Sequence, residues 1–309
     1  MTKFKKTLSL LLVAIFSMAL VACGEKNEPK KEEGKGTTYP ITLKDSKDRE
    51  VTIEKEPERI ISVAPSITET IAALGKLDKL VGRTTYCDYP AEVSKIQEIG
   101  TLKEPNIEKI IELKPDVVIA STHFKDDVLK KLEDVGIKVA VINAPETFDG
   151  VYSIINDVAK VINANDQAEK LVADMKKKVD ETTAKVKDKE KTSVYYMVGF
   201  GKGGDFTAGG DTFIGKAIEM AGGTNIAADV KGWKYSLEKL MEKNPDMIVV
   251  GKGRGAKEEL PKIDGYKELK AVKENKIYEI DSNLLDRQGP RIAQGLEELA
   301  KIIHPEAFK

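Results

Sequence analysis

From Arg59 onward the chain alternates short apolar runs with stretches of helical period. Arg59–Ala64 (RIISVA) reads as a buried strand, and Ser66-Ile67-Thr68-Glu69 reads as a capping box opening a helix. Ile71 and Leu74 continue that helix to a stop at Gly75. Asn106–Leu113 reads as a second helix, Pro115-Asp116 as a turn and Val117–Ala120 as a strand. Asp126–Val135 is a helix ended by Gly136, and Lys138–Ile142 a further strand. Strands and helices alternating at this spacing predict a mostly parallel sheet covered on both faces.

The pattern then recurs. Asn106-IEKIIELKPDVVIA-120 aligns at an offset of 130 residues with Ser236-LEKLMEKNPDMIVV-250, with five of fifteen positions identical. Those are Glu108/Glu238, Lys109/Lys239, Glu112/Glu242, Pro115/Pro245 and Asp116/Asp246. Chance similarity between helix–turn–strand units is the competing explanation. The flanks favour duplication, since a strand and a capped helix ending in Gly precede each copy. Between the copies, Ala168, Val172, Met175, Val179 and Val186 form a narrow apolar stripe on an otherwise polar helix, Asn165–Lys189. About 22 helical residues would span roughly 33 Å, which suits a strut between two lobes or an ordinary surface helix. The expectation is an α/β protein of two lobes, each with a central mostly parallel sheet, joined by a single long rigid helix.

The first 23 residues have a different grammar. Lys3, Lys5 and Lys6 precede an uncharged, mostly apolar run from Thr7 to Ala22, which ends Leu-Val-Ala before Cys23. That is the layout of a secretory signal, too short to span a membrane comfortably. A cysteine directly after the small residues looks like a bacterial lipobox, with an ordinary signal and a chance cysteine as the competing reading. Residues 1–22 are then the signal and Cys23 the lipidated N-terminus, with residues 23–40 a flexible tether rich in Lys, Glu and Gly. Two acyl chains suffice for stable anchoring where one is marginal. The expected divisions continue as 41–145 for the first lobe, 146–190 for a helical linker and 191–309 for the second lobe.

Composition narrows the chemistry. Removing 22 of 309 residues leaves 287, with 47 basic and 51 acidic side chains, a balance of −4 that gives no support to nucleic-acid binding. Beyond Cys23 only Cys87 remains, so no intramolecular disulfide is expected. His123 and His304 are the two histidines, too few for a metal or hydrolase site to be read from spacing. Gly199-Phe-Gly-Lys-Gly-Gly204 imitates a dinucleotide loop but lacks the acidic residue at the next strand end. Gly210-DTFI-Gly215-Lys216 imitates a phosphate loop, but Gly215 falls inside a helix capped by Asp211 or Thr212. Neither an enzyme nor a resident cofactor is expected.

Aromatic residues on loops remain. Tyr86 and Tyr89 lie in Thr84-TYCDYP-90, His123 and Phe124 follow the strand Val117–Ala120, and Phe200 and Phe206 follow Ser193–Val198. Trp233, the single tryptophan, precedes the second-copy helix. Each taken alone reads more readily as a core or turn residue. Together, beyond the carboxyl ends of strands, they favour a cleft for a large planar or chelated ligand.

Several of these stretches resemble the iron-siderophore/vitamin B12 family of ABC-importer solute-binding proteins. They are Pro57-ERIISVAPSITETIAALG-75, Val81-GRTTYCDYP-90, the first repeat copy, Thr207-AGGDTFIGKAIEMAGGTNIA-227 and Arg287-QGPRIAQGLEELAKIIHPEAF-308. The resemblance runs over residues 41–309 and implies two lobes joined by one long helix, with the ligand between them. It also implies a monomer, tethered to the membrane and serving a permease and its ATPase. In this family, positions matching Glu108 and Glu238 present one carboxylate per lobe to permease arginines; compensation of the helix dipole is the plainer reading. The ligand is expected to be a metal chelate, either an iron–siderophore complex or a corrinoid. Tyr86 and Tyr89 would stack on a corrin, although Thr101–Pro105 lacks the aromatic expected of a close corrinoid binder. Haem is a further candidate, with Tyr86, Tyr89 or His123 as axial ligand. An anionic siderophore would want Arg83, Lys202 or Arg287.

Overall fold

The computed structural model describes residues 36–121 and 124–309, so the expected signal, Cys23, most of the expected tether and His123 lie outside the described residues. An antiparallel hairpin of β1 (Ile41–Lys44) and β2 (Glu50–Ile53) leads into the first lobe. Its sheet holds β3 (Ile60–Ser62), β4 (Leu80–Arg83), β5 (Gln97–Glu98), β6 (Val117–Ala120) and β7 (Val139–Val141). They run parallel in the order β5-β4-β3-β6-β7, with helices α1 (Pro65–Ala73), α2 (Ile107–Glu112) and α3 (Asp126–Asp134). Alternation of side chains decides the packing. Ile61, Val118 and Ala120 face a core shared with α3, whereas Ile60, Val117 and Ile119 face the opposite core.

The second lobe repeats the plan with an antiparallel edge. β8 (Thr192–Gly199) pairs with β9 (Asp205–Thr207), β10 (Gly223–Asn225) and β12 (Met247–Gly251). β11 (Lys234–Tyr235) extends the β9 edge and β13 (Ile277–Ile280) lies beyond β12. β10, β12 and β13 run parallel to β8, β9 runs antiparallel to it, and β11 pairs antiparallel with β9. The helices are α6 (Phe213–Met220), α7 (Leu237–Lys243), α8 (Ala256–Glu259), α9 (Lys270–Lys273), α10 (Asn283–Asp286) and α11 (Ile292–Ile303).

The repeat is real in three dimensions. Asn106 and Ser236 cap α2 and α7 by accepting from the backbone N–H of Lys109 and Lys239. Lys114 and Asn244, equivalent positions, both turn through left-handed backbone at φ 45° and 42°. The two aspartates that follow pin the start of the neighbouring strand in each sheet, β3 and β8. Asp116 accepts from the N–H groups of Glu58 and Arg59 at 2.9 and 3.0 Å. Asp246 accepts from the Ser193 N–H and hydroxyl at 3.1 and 2.6 Å.

Lys270, and next the Ser193 hydroxyl, hold the Asp246 carboxyl down to about 2. Its folded pKa lies below the unfolded value of about 3.9, so its contribution is complete above about pH 4 and is lost as pH falls through 2. Urea-unfolding midpoints measured from pH 5 to pH 2 should therefore fall less steeply in Asp246→Asn than in the parent. Equal slopes would remove Asp246 from the acid sensitivity.

The helix expected over Asn165–Lys189 forms as α5 (Asn165–Val186), and a second helix, α4 (Phe148–Ile162), precedes it in the connection between lobes. α4 ends at Asn163, a left-handed C-cap at φ 55°, and α5 starts afresh. Asn163 suits that backbone, and its side chain accepts from the Thr37 N–H and donates to Glu56, which a continuous helix would forbid. The stripe of Ala168, Val172, Met175, Val179 and Val186 is buried, joined by Thr182. One cluster runs from Ile60 and Ile119 through Ile155, Val158 and Met175 to Leu296, Val194 and Val249. α5 is thus a packed spine between the two sheets, not a bare strut.

Candidate functional site

The start of α1 departs from the sequence expectation. Pro65 takes the first helical position, Ala64 is the cap and makes no side-chain cap bond. Ser66 is already inside the helix, which frees Glu69 from capping. Glu69 is instead 3% exposed and is claimed by the other lobe. Its carboxylate accepts from Arg287 at 2.9 Å and from Arg291 at 2.8 and 2.7 Å. Arg287 also donates to Asp88 at 2.6 Å and to the Tyr86 carbonyl at 3.1 Å. Arg291 lies over the Tyr89 ring, 4.0 Å from its centroid. Arg287 foremost holds the Asp88 carboxyl below its ordinary range. Burial alone would lower the pKa of Arg287, but Asp88 and Glu69 outweigh it and raise it.

In front of this cluster a cleft of about 580 Å³ separates the lobes. Ser66, Leu102, Ser121 and Asn143 line the first-lobe wall, and Phe213, Trp233, Leu285 and Asp286 the second. Glu146 bridges the base, accepting from the Phe213 N–H at 3.0 Å while Lys216 donates to its carbonyl. Burial pushes the Asp286 carboxyl above its ordinary range. Among the described lining residues Arg287 is the cation, and its guanidinium is already paired. Strand ends deliver this wall because Ala64 follows β3, Ser121 follows β6 and Ile142 follows β7.

The structure gathers some of the residues singled out from sequence and scatters others. Trp233, 41% exposed, and Arg287 line the cleft. Tyr86 is 61% exposed beside it, its carbonyl bound by Arg287. Tyr89 lines a separate groove of about 430 Å³ with Ala72, Met175 and Pro290. Phe124 is not on the cleft; it is 3% exposed and packs in the first-lobe core with Val128 and Leu129. Phe200 is half-buried against the Tyr266 ring, with centroids 6.1 Å apart. Phe206 is half-buried under Gly199 and Gly204. His123 lies outside the described residues. Glu108 and Glu238 stand exposed in the first turns of α2 and α7.

The imitation motifs resolve into structural parts. Gly199–Gly204 turns β8 back into antiparallel β9 and opens no nucleotide-binding helix. Gly215 sits within α6, where a Cβ would come 2.0 Å from the Gly209 carbonyl oxygen, so close packing demands it. Cys87 is buried with its sulfur 3.1 Å from both the Thr68 and Thr84 hydroxyls.

Comparisons agree with this geometry. The chain is 38% identical over 97% of both chains to the ABC transporter substrate-binding lipoprotein YvrC of Bacillus subtilis. It is 28% identical, over 86% of its own length and 75% of the relative's, to a cobalamin-binding protein of Halobacterium salinarum. A crystal structure of a possible iron-binding, periplasmic solute-binding protein from Staphylococcus epidermidis superposes with a TM-score of 0.72 at 34% identity, covering 81% of this chain and all of that one. Residues 60–284, which hold both sheets' parallel strands and most of the cleft, match the family model for periplasmic binding proteins. With two α/β lobes facing one another across that cleft, the chain belongs to the periplasmic binding protein family.

Proposed function

We propose that this chain is the solute-binding lipoprotein of an ABC importer, tethered through Cys23. It captures a metal-chelate nutrient, an iron complex or a corrinoid, between its lobes and hands it to a permease. The observation that carries this reading is the 580 Å³ cleft with Trp233 on one wall and hydroxyl and amide groups on the other. A volume of that order suits a bulky chelate. An aromatic face and a few polar groups suit a planar, amide- or oxygen-rich one. The YvrC and cobalamin-binding relatives point the same way. Glu108 and Glu238 serve as one docking carboxylate per lobe.

Thermal unfolding of residues 24–309 with cobalamin, haemin and ferric siderophores tests the reading. Ligand at 100 times its Kd adds about 2.7 kcal/mol of apparent stability, so one class should raise the melting temperature and the others should not. No shift with any of them would sink the metal-chelate assignment. Trp233→Ala should weaken the bound class about 10- to 30-fold, as expected for a central aromatic contact. An unchanged Kd by titration would take Trp233 out of the binding wall.

A further inference from the structure

Ile111 and Met241 are large apolar side chains left 41% and 43% exposed, and they occupy the same position of the 130-residue repeat. Each sits between two glutamates on one helix face. Glu108, Ile111 and Glu112 fall at i, i+3 and i+4 on α2, and Glu238, Met241 and Glu242 repeat them on α7. All six side chains are exposed. Among the described residues none of the four glutamates has an ion-pair partner. The neighbouring lysines turn inward to their own lobes, Lys109 to the Glu98 carbonyl and Lys239 to Asp229.

Helix stability does not explain this arrangement. Like charges at i and i+4 repel. Glu108 and Glu238 suit a helix start, but Glu112 and Glu242 lie in the last turn, where negative charge opposes the dipole. A single exposed apolar residue is ordinary. Val135 and Tyr278 are such cases, since their repeat counterparts are Gly265 and the half-buried Phe148. Ile111 and Met241 match in position, exposure and flanking charge.

We infer that each lobe docks through an apolar knob flanked by two carboxylates, Glu108-Ile111-Glu112 and Glu238-Met241-Glu242. This rests on the docking role given to Glu108 and Glu238 above and extends it to the other four residues. The occupant is a membrane protein with two equivalent sockets, each an apolar hollow rimmed by cations. Two like patches on one chain call for a partner with two-fold symmetry, and the unpaired carboxylates set the sign of its rims.

The test places a photo-crosslinking residue at 111, 241 or the control position 135 in the full lipoprotein in its own cells. Positions 111 and 241 should capture the same integral membrane polypeptide and position 135 should not. In parallel, Ile111→Ser with Met241→Ser should lower uptake about tenfold or more, with ligand affinity and melting temperature unchanged. Different polypeptides at 111 and 241, capture of none, or parental uptake by the serine variant would overturn the inference. If charge reversal of Glu108 and Glu238 stops uptake while the serine variant transports normally, the knobs fail and the docking carboxylates stand. If both variants transport normally, the docking reading fails with them.

Discussion

Glu69→Ala should destabilise the protein by about 3–5 kcal/mol, the usual penalty for leaving buried charge without its partner. The side chains of Arg287 and Arg291 are only 12% and 16% exposed. Removing the carboxylate strands both guanidiniums between the lobes, with Asp88 left to Arg287 alone. For a chain of this size the melting temperature should fall by roughly 10 °C. The loss belongs to unpaired charge rather than to packing, so Glu69→Leu combined with Arg291→Leu should recover much of it. Urea titrations of the three proteins measure both effects. A loss under about 1 kcal/mol for Glu69→Ala would mean that the cluster behaves as a surface ion pair.

Glu108→Arg with Glu238→Arg should abolish uptake of bound cargo while leaving cargo affinity unchanged. Both residues lie outside the cleft, on helices whose opposite sides pack through Ile110 and Leu240. Reversal at a helix start costs about 0.3–1 kcal/mol each through the dipole, far too little to unfold the protein. In the docking proposed above, each reversal would set like charge against a cationic partner, and the two would act on both lobes together. Uptake by whole cells, with binding titrated on the soluble fragment, separates the two effects. Uptake at the parental rate would refute the docking role of these carboxylates.

The features most legible in the sequence were those that local chemistry decides. The Pro-Asp pairs, the Asn106 and Ser236 caps and the apolar stripe along 168–186 depend on neighbours within a few residues, and the structure keeps each of them. Asn163, an asparagine that accepts left-handed backbone, ends α4 just before α5 begins at the expected Asn165. Ser66 failed as a cap because Pro65, preset for the first helical position, moves the cap two residues earlier, to Ala64. The inter-lobe cluster was illegible because Glu69 and Arg287 stand 218 residues apart. Its trace was a lone glutamate in Ile67-Thr-Glu-Thr-Ile71, and two arginines four apart at 287 and 291. The aromatics misled for a related reason. A loop position gives no depth, and Phe124 turns under α3 whereas Trp233 turns into the cleft.

Trp233 offers the most direct measurement, because it is the protein's single tryptophan and stands on the cleft wall. Its fluorescence in residues 24–309 should be followed during titration with cobalamin, haemin and a ferric siderophore, all of which absorb light and quench at short range. One ligand class should quench the emission saturably at one equivalent, and Trp233→Phe should abolish the signal while calorimetry still records binding. Saturable binding by calorimetry without quenching of Trp233 would place the ligand elsewhere and contradict capture between the lobes.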